Sequence, residues 1–103
     1  MSTETITDIS LDEKLQKVPE FPKKYKVIML NDDHTPMDWV IGVLTQIFKH
    51  SNKQAEQITL TIHNEGSAVA GIYSYEVAES KAVEATNASR SQGFPLQIKL
   101  ERE

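Results

Sequence analysis

The sequence predicts an α+β domain: a two-layer sandwich in the order β-α-α-β-α-β, with a three-stranded antiparallel sheet and its helices on one face. Three observations carry this expectation. Short apolar runs of strand character occur at Tyr25–Leu30, Ala68–Tyr73 and Leu96–Leu100. The intervening segments repeat their apolar residues at helical spacing and end in capping and stop signals. Three strands cannot hide both faces of a sheet among themselves, so helices packed against one face are the simplest solution.

Residues 1–24 stand apart from this pattern. They hold five acids, four lysines, Pro19 and Pro22, and few apolar side chains. Ser10-x-x-Glu13 can cap a short helix bearing Leu11, Leu15 and Val18. One such stripe buries too little surface to offset its ordering entropy. The expectation is a flexible tail over 1–24 and one folded domain over 25–103.

Within the domain, Tyr25–Leu30 reads as a buried strand, stopped by Asn31-Asp-Asp-His-Thr-Pro36. Thr35 as N-cap, Pro36 at the first helical position and Asp38 at the third predict a helix start. Val40, Val43, Leu44, Ile47 and Phe48 form its apolar stripe, and Lys49-His50 mark its end as cations suited to the helix dipole. Ser51-x-x-Gln54 is a second capping box. The segment after it is ambiguous: Ile58, Leu60 and Ile62 alternate like a strand, whereas Ala55, Ile58 and Ile62 recur like a helix. The cap ahead and Gly66 behind favour a helix over 52–65. Ser74 caps a third, alanine-rich helix with Glu76 and Glu79 at its start, closed by Gly93 with Pro95 beyond. Leu96–Leu100 then alternates as a half-buried strand.

Composition narrows the chemistry. The chain has 103 residues, 39% of them hydrophobic and 25% charged, as in an ordinary globular domain. It has no cysteine, which removes disulfides, thiolate nucleophiles, iron–sulfur clusters and Cys-ligated zinc. A net charge of −4 speaks against a nucleic-acid binder, which needs a basic face. No run approaches the ~20 apolar residues that cross a bilayer, and the first residues lack the pattern of a secretory signal. The expected location is the cytoplasm, with no membrane partner.

Two polar features could carry function: the Asn31-Asp32-Asp33-His34 turn and His63 near a helix end, with Met37, Val40, Ile62 and Leu96 as apolar neighbours. The plain reading of the first is a surface turn, and of the second a solvated histidine. Asp32, Asp33, His34 and His63 lack the spacing of a metal site, so no metal or other cofactor is expected. No Gly-x-Ser-x-Gly elbow, P-loop or dinucleotide glycine pattern is present, and no nucleophile-and-base set, so the chain does not read as an enzyme.

Tyr25-Lys-Val-Ile-Met-Leu-Asn-Asp-Asp-His-Thr-Pro-Met37 closely resembles the opening signature of the ClpS family, adaptors of bacterial Clp proteases. The resemblance continues through Ile62-His63-x-x-Gly66, through Gly71-Ile-Tyr-Ser-Tyr-Glu-Val-Ala-Glu-Ser-Lys81 and into Phe94-Pro-Leu96. It implies an adaptor that binds N-degrons, substrates with a free N-terminal Leu, Phe, Tyr or Trp, and delivers them to a Clp AAA+ unfoldase of the ClpA type. By the same resemblance the α-amino ligands fall on Asn31, Asp33 and His63, with Asp32 as a neighbouring acid. The side-chain pocket falls on Thr35, Met37, Val40, Thr59, Ile62 and Leu96, and the unfoldase-binding edge on Glu76, Glu79 and Lys81. Thr59 departs from the Met common in the family, which implies a different ranking of N-terminal residues. A monomer is expected. The competing reading is a small ribosomal or nucleic-acid-associated module of the same fold type, since fold does not fix function.

Overall fold

The computed structural model describes residues 23–103. The tail expected over 1–24 therefore lies almost wholly outside the described residues; Lys24, its last member, already belongs to the first strand. The elements are β1 (Lys24–Leu30), α1 (Met37–Gln46), α2 (Asn52–Glu65), β2 (Ser67–Ser74), α3 (Tyr75–Ser91) and β3 (Gln97–Arg102). The sheet has the order β2-β1-β3, with both pairings antiparallel. The segment 52–65, which the residue pattern left between strand and helix, is a helix.

The inner face of β1 supplies Val27 and Met29, both fully buried. Val40, Val43, Leu44 and Phe48 meet them from α1 and the turn after it, and Ala55 and Ile62 from α2. The apolar stripe read from the sequence is thus the core-facing side of α1. Ala78 and Ala85 of α3 lie in the same cluster, where their small side chains let the helix lie close to the sheet. On the other face, Lys26 is opposite Glu101 and Ile28 opposite Lys99. This polar pattern fits a sheet covered by helices on one side only.

Two details differ from the expectation at α1. Its N-cap is Pro36 (φ −65°, ψ 147°), with no side-chain cap, rather than Thr35. The Thr35 hydroxyl donates instead to the Asp32 carboxylate at 2.8 Å, a charge-assisted bond that outcompetes capping. The helix also closes before Lys49-His50. Lys49 takes a left-handed conformation (φ 63°), which no helix continues through, and the His50 N–H reaches back to the Leu44 carbonyl at 3.0 Å. The His50 ring then turns to the Ala70 carbonyl. Ala70 is the extra residue of a bulge opposite Val27 and Ile28, so it lacks a partner on β1.

The remaining boundaries follow their local chemistry. The Ser51 hydroxyl accepts from the Gln54 N–H at 3.2 Å, the forward half of the capping box. Gly66 ends α2 at φ 93°, donating to the Ile62 carbonyl at 2.9 Å. Ser74 stands at the N-cap of α3 without a side-chain cap bond. After α3, the Arg90 guanidinium donates to the carbonyls of Phe94 (3.0 Å) and Leu96 (2.8 Å), fixing the segment that leads into β3. The Trp39 indole packs on Phe94 at 5.5 Å and donates to Ser89 at 2.8 Å, which couples that segment to α1.

Candidate functional site

The site is built where β1 ends and α2 ends. The Asn31 N–H donates to the Gly66 carbonyl at 2.8 Å, so the residue leaving β1 is fastened to the residue that closes α2. His63 lies on the last turn of α2, and this bond draws the polar turn and the imidazole to one side of the molecule.

Asp32 shapes the turn. One carboxylate oxygen accepts from the His34 and Thr35 N–H groups, each at 2.8 Å, and the other from the Thr35 hydroxyl. Burial pushes the Asp32 carboxyl up, but the Thr35 hydroxyl, the two N–H donors and the His34 ring together hold it below its ordinary range. With these bonds made, Asp32 orders the loop, while its neighbours Asn31 and Asp33 remain exposed to solvent.

A cavity of about 230 Å³ opens beneath this turn. Asn31, Asp32, Asp33 and His63 line its mouth side, and Thr35, Met37, Val40, Thr59, Ile62 and Leu96 line the rest. The nine residues that the resemblance names as amine or pocket ligands, and the neighbouring Asp32, therefore surround one hollow. Val40, Thr59, Ile62 and Leu96 are buried, whereas Met37 is 42% exposed and forms part of the rim. Thr59, Ile62 and His63 share a face of α2, as residues three and four apart must.

Leu30 also lines the cavity, and the sequence reading missed it. As the last apolar residue of a strand run, it carries no local signal separating a pocket wall from ordinary core.

Glu76, Glu79 and Lys81 do not line the cavity; they sit on the first turns of α3. Glu76 and Glu79 are exposed, and Glu79 accepts from the Tyr75 hydroxyl at 3.2 Å. Lys81 is half-buried. Its ammonium donates to the Ile47 carbonyl at 2.7 Å and lies 5.4 Å from the centre of the Tyr73 ring, so it also ties α3 to the end of α1.

The chemistry of the hollow is that of a receptor for a donor. Its mouth carries a carboxylate, an amide oxygen and an imidazole, and its walls are mostly apolar, with Thr35 and Thr59 among them. Both threonines have their hydroxyl protons engaged, Thr35 by Asp32 and Thr59 by the Ala55 carbonyl at 2.7 Å, so neither is poised as a nucleophile. Among the described residues no three His, Asp or Glu side chains converge to hold a metal ion, and no helix is long and apolar enough to cross a membrane.

Comparison with known proteins places this arrangement in a family. The model of the ATP-dependent Clp protease adaptor protein ClpS matches residues 20–99. The chain is 43% identical to the ClpS adapter protein of Campylobacter jejuni subsp. doylei over 103 residues, covering 100% of this chain and 99% of that protein. It is 48% identical to that of Leptothrix cholodnii over 90 residues, covering 87% and 77%. The solved structure of Agrobacterium tumefaciens ClpS2 bound to L-phenylalaninamide superposes with a TM-score of 0.78 at 42% identity, covering 81% of this chain and 100% of that one. The antiparallel β-α-α-β-α-β fold is shared with that structure. The chain belongs to the ClpS family, whose members are adaptors of ATP-dependent Clp proteases and not themselves enzymes.

Proposed function

We propose that this chain captures polypeptides by a free N-terminal Leu, Phe, Tyr or Trp and delivers them to a Clp AAA+ unfoldase of the ClpA type. The observation that carries this reading is the cavity itself, with Asn31, Asp33 and His63 at the mouth of a hollow whose deeper lining is mostly apolar. An α-amino group has a reference pKa of about 7.7–8.0 and is largely cationic at neutral pH. It needs acceptors on several sides. Asp33 offers a charge-assisted bond, Asn31 an amide oxygen and His63, when neutral, a ring nitrogen. The first side chain then descends among Met37, Val40, Thr59, Ile62 and Leu96, while Asp32 and Thr35 keep the turn in shape.

Size supports the same reading. A cavity of roughly 150 Å³ holds benzene, so about 230 Å³ takes an aromatic side chain with its backbone amine. The ligand of the A. tumefaciens relative has this chemistry: phenylalaninamide joins a free amine and a benzyl group to a neutral carboxamide, as a chain beginning with Phe does. Burying one such side chain contributes about 1.5–3 kcal/mol, and each hydrogen bond to a charged group a similar amount. Less the cost of association, these sum to about micromolar affinity, which suits a carrier that must release its load.

The unfoldase would dock on the α3 edge at Glu76, Glu79 and Lys81, apart from the cavity, so that cargo and unfoldase can be held together. The protein would act as a cytoplasmic monomer with no nucleic-acid or membrane partner. Calorimetry with Phe- and Leu-started peptides tests the reading. Micromolar binding of the free peptides and none of their N-acetyl forms is expected; equal binding of the two would refute it.

A further inference from the structure

We propose that Met37 is a site of reversible oxidation at the cavity rim: a peroxide converts its thioether to a sulfoxide, and the sulfoxide weakens capture of a chain end. The proposal rests on the reading of the cavity as a site for a first residue, and it adds a regulation of that site.

Placement singles out this sulfur. The chain has three methionines and no cysteine, so no thiol competes for an oxidant. Met1 lies outside the described residues. Met29 is fully buried on β1, within the core cluster. Met37 is 42% exposed and lines the cavity. It opens α1, and Val40, three positions on, lies on the same face at 6% exposure. Val40, Ile62 and Leu96 form buried wall, whereas Met37 meets both the hollow and the solvent.

The step itself is simple. The sulfur lone pair of Met37 attacks one oxygen of hydrogen peroxide. The O–O bond breaks and an S–O bond forms. Sulfur is oxidised by two electrons, and the second oxygen is reduced and leaves as water with both protons. Before the step the side chain is flexible and apolar, suited to lie along first side chains of different shape. Afterwards it carries a strong dipole and a hydrogen-bond acceptor.

The hollow has no donor for that acceptor. The Thr35 hydroxyl already donates to Asp32, and the Thr59 hydroxyl to the Ala55 carbonyl. On the same reading, the three protons of the bound ammonium go to Asn31, Asp33 and His63. A sulfoxide turned inward would lose its water without a replacement bond. It therefore turns outward, and the captured side chain loses its contact at the rim. Reductases for the two sulfoxide epimers return the thioether, so the loss is reversible.

The test treats the full chain with hydrogen peroxide, removes the excess with catalase, and then measures binding of a labelled Phe-started peptide by fluorescence anisotropy. Tandem mass spectrometry locates the added oxygen. Met37 should oxidise well ahead of Met29. Affinity should fall at least threefold and return after treatment with both reductases. A saturating free peptide, but not its N-acetyl form, should slow oxidation of Met37 at least threefold. Met37→Leu, whatever its own affinity, should bind equally before and after peroxide. Circular dichroism confirms folding; should the oxidised protein lose its helical signal, Met37→Gln decides instead, with binding at least threefold weaker than that of Met37→Leu. Oxidation of Met37 no faster than of Met29, absence of protection by the free peptide, an affinity changed less than threefold at full oxidation, or an equal loss in Met37→Leu would overturn the proposal and leave N-terminal binding intact. An untreated protein that binds free and N-acetyl peptides alike would instead strike the underlying reading.

Discussion

The Asn31 N–H lies 2.8 Å from the Gly66 carbonyl, and this main-chain bond continues the β1–β2 pairing beyond Leu30 and Ser67 to hold the exit of β1 against the close of α2. The cavity mouth draws on that fastening, because α1 and most of α2 lie between Asn31 and His63 in the chain.

Gly66 takes φ 93°, a conformation that costs an L side chain about 1–2 kcal/mol. A Cβ there would meet no atom within 4 Å, so the penalty is in the backbone alone. Gly66→Ala should lower stability by about 1 kcal/mol, and a thermal melt should fall by roughly 4–8 °C. Gly66→Asn should lose less, because Asn tolerates the left-handed region.

Lys49 presents the opposite case, an exposed L-residue at φ 63° closing α1. Lys49→Gly should stabilise the protein by about 0.5–1 kcal/mol, read as a raised urea midpoint with unchanged slope.

Asp32 links stability to pH. Its carboxyl, with an ordinary value of 3.8, is held lower in the folded state by the Thr35 hydroxyl and two N–H donors, which outweigh burial. The unfolded chain therefore binds the proton more readily, and stability rises with pH through this window. The contribution is fully present above the ordinary carboxylate range and is lost as pH falls through the depressed value. Asp32→Ala should cost about 1–2 kcal/mol at neutral pH, like the loss of a helix cap. The gap between wild type and variant, followed by urea unfolding from pH 7 downwards, should narrow only below about pH 4.

Asp33 is exposed and makes none of the hydrogen bonds that order the turn around Asp32. Asp33→Asn should weaken binding of a Phe-started peptide about tenfold by anisotropy, while the melting temperature stays within a degree or two. Asp32→Ala should lower both.

Lys81 and Glu76 separate folding from delivery. Lys81→Ala breaks the bond to Ile47 and the contact with Tyr73, and should lower the melting temperature by several degrees. Glu76→Lys changes an exposed position in the first turn of α3 and should lower the melt by only a few degrees, through the helix dipole. It should nonetheless weaken pull-down by a ClpA-type unfoldase; undiminished capture would remove Glu76 from the docking edge.

Much of the fold was legible because its punctuation is local. Ser51 and Gly66 bracket α2 with a cap and a left-handed stop, and they decided the ambiguous Ile58–Ile62 run in favour of helix. The start of α1 was misread because Thr35 has two suitors, and the stronger one, Asp32, is revealed only by the folded turn. The end of α1 was misread because a lysine stands where a glycine would have announced the left-handed stop. The residues that line the cavity were singled out through the resemblance, since Asn-Asp-Asp alone reads as an ordinary turn. Leu30 was invisible because wall and core residues share one chemistry, and only the position of the hollow separates them. The tie from Lys81 to Ile47 was hidden because it spans 34 positions in sequence.

The most direct test of the central claim is a backbone NMR shift map of the protein titrated with a short Phe-started peptide. Perturbations should centre on Asn31–Thr35 and on Thr59–His63 and vanish when the peptide is N-acetylated. Shifts centred instead on the open cleft between His50, Gln57 and Val69 would contradict the account, because a charged chain end would then be held where no carboxylate lines the wall.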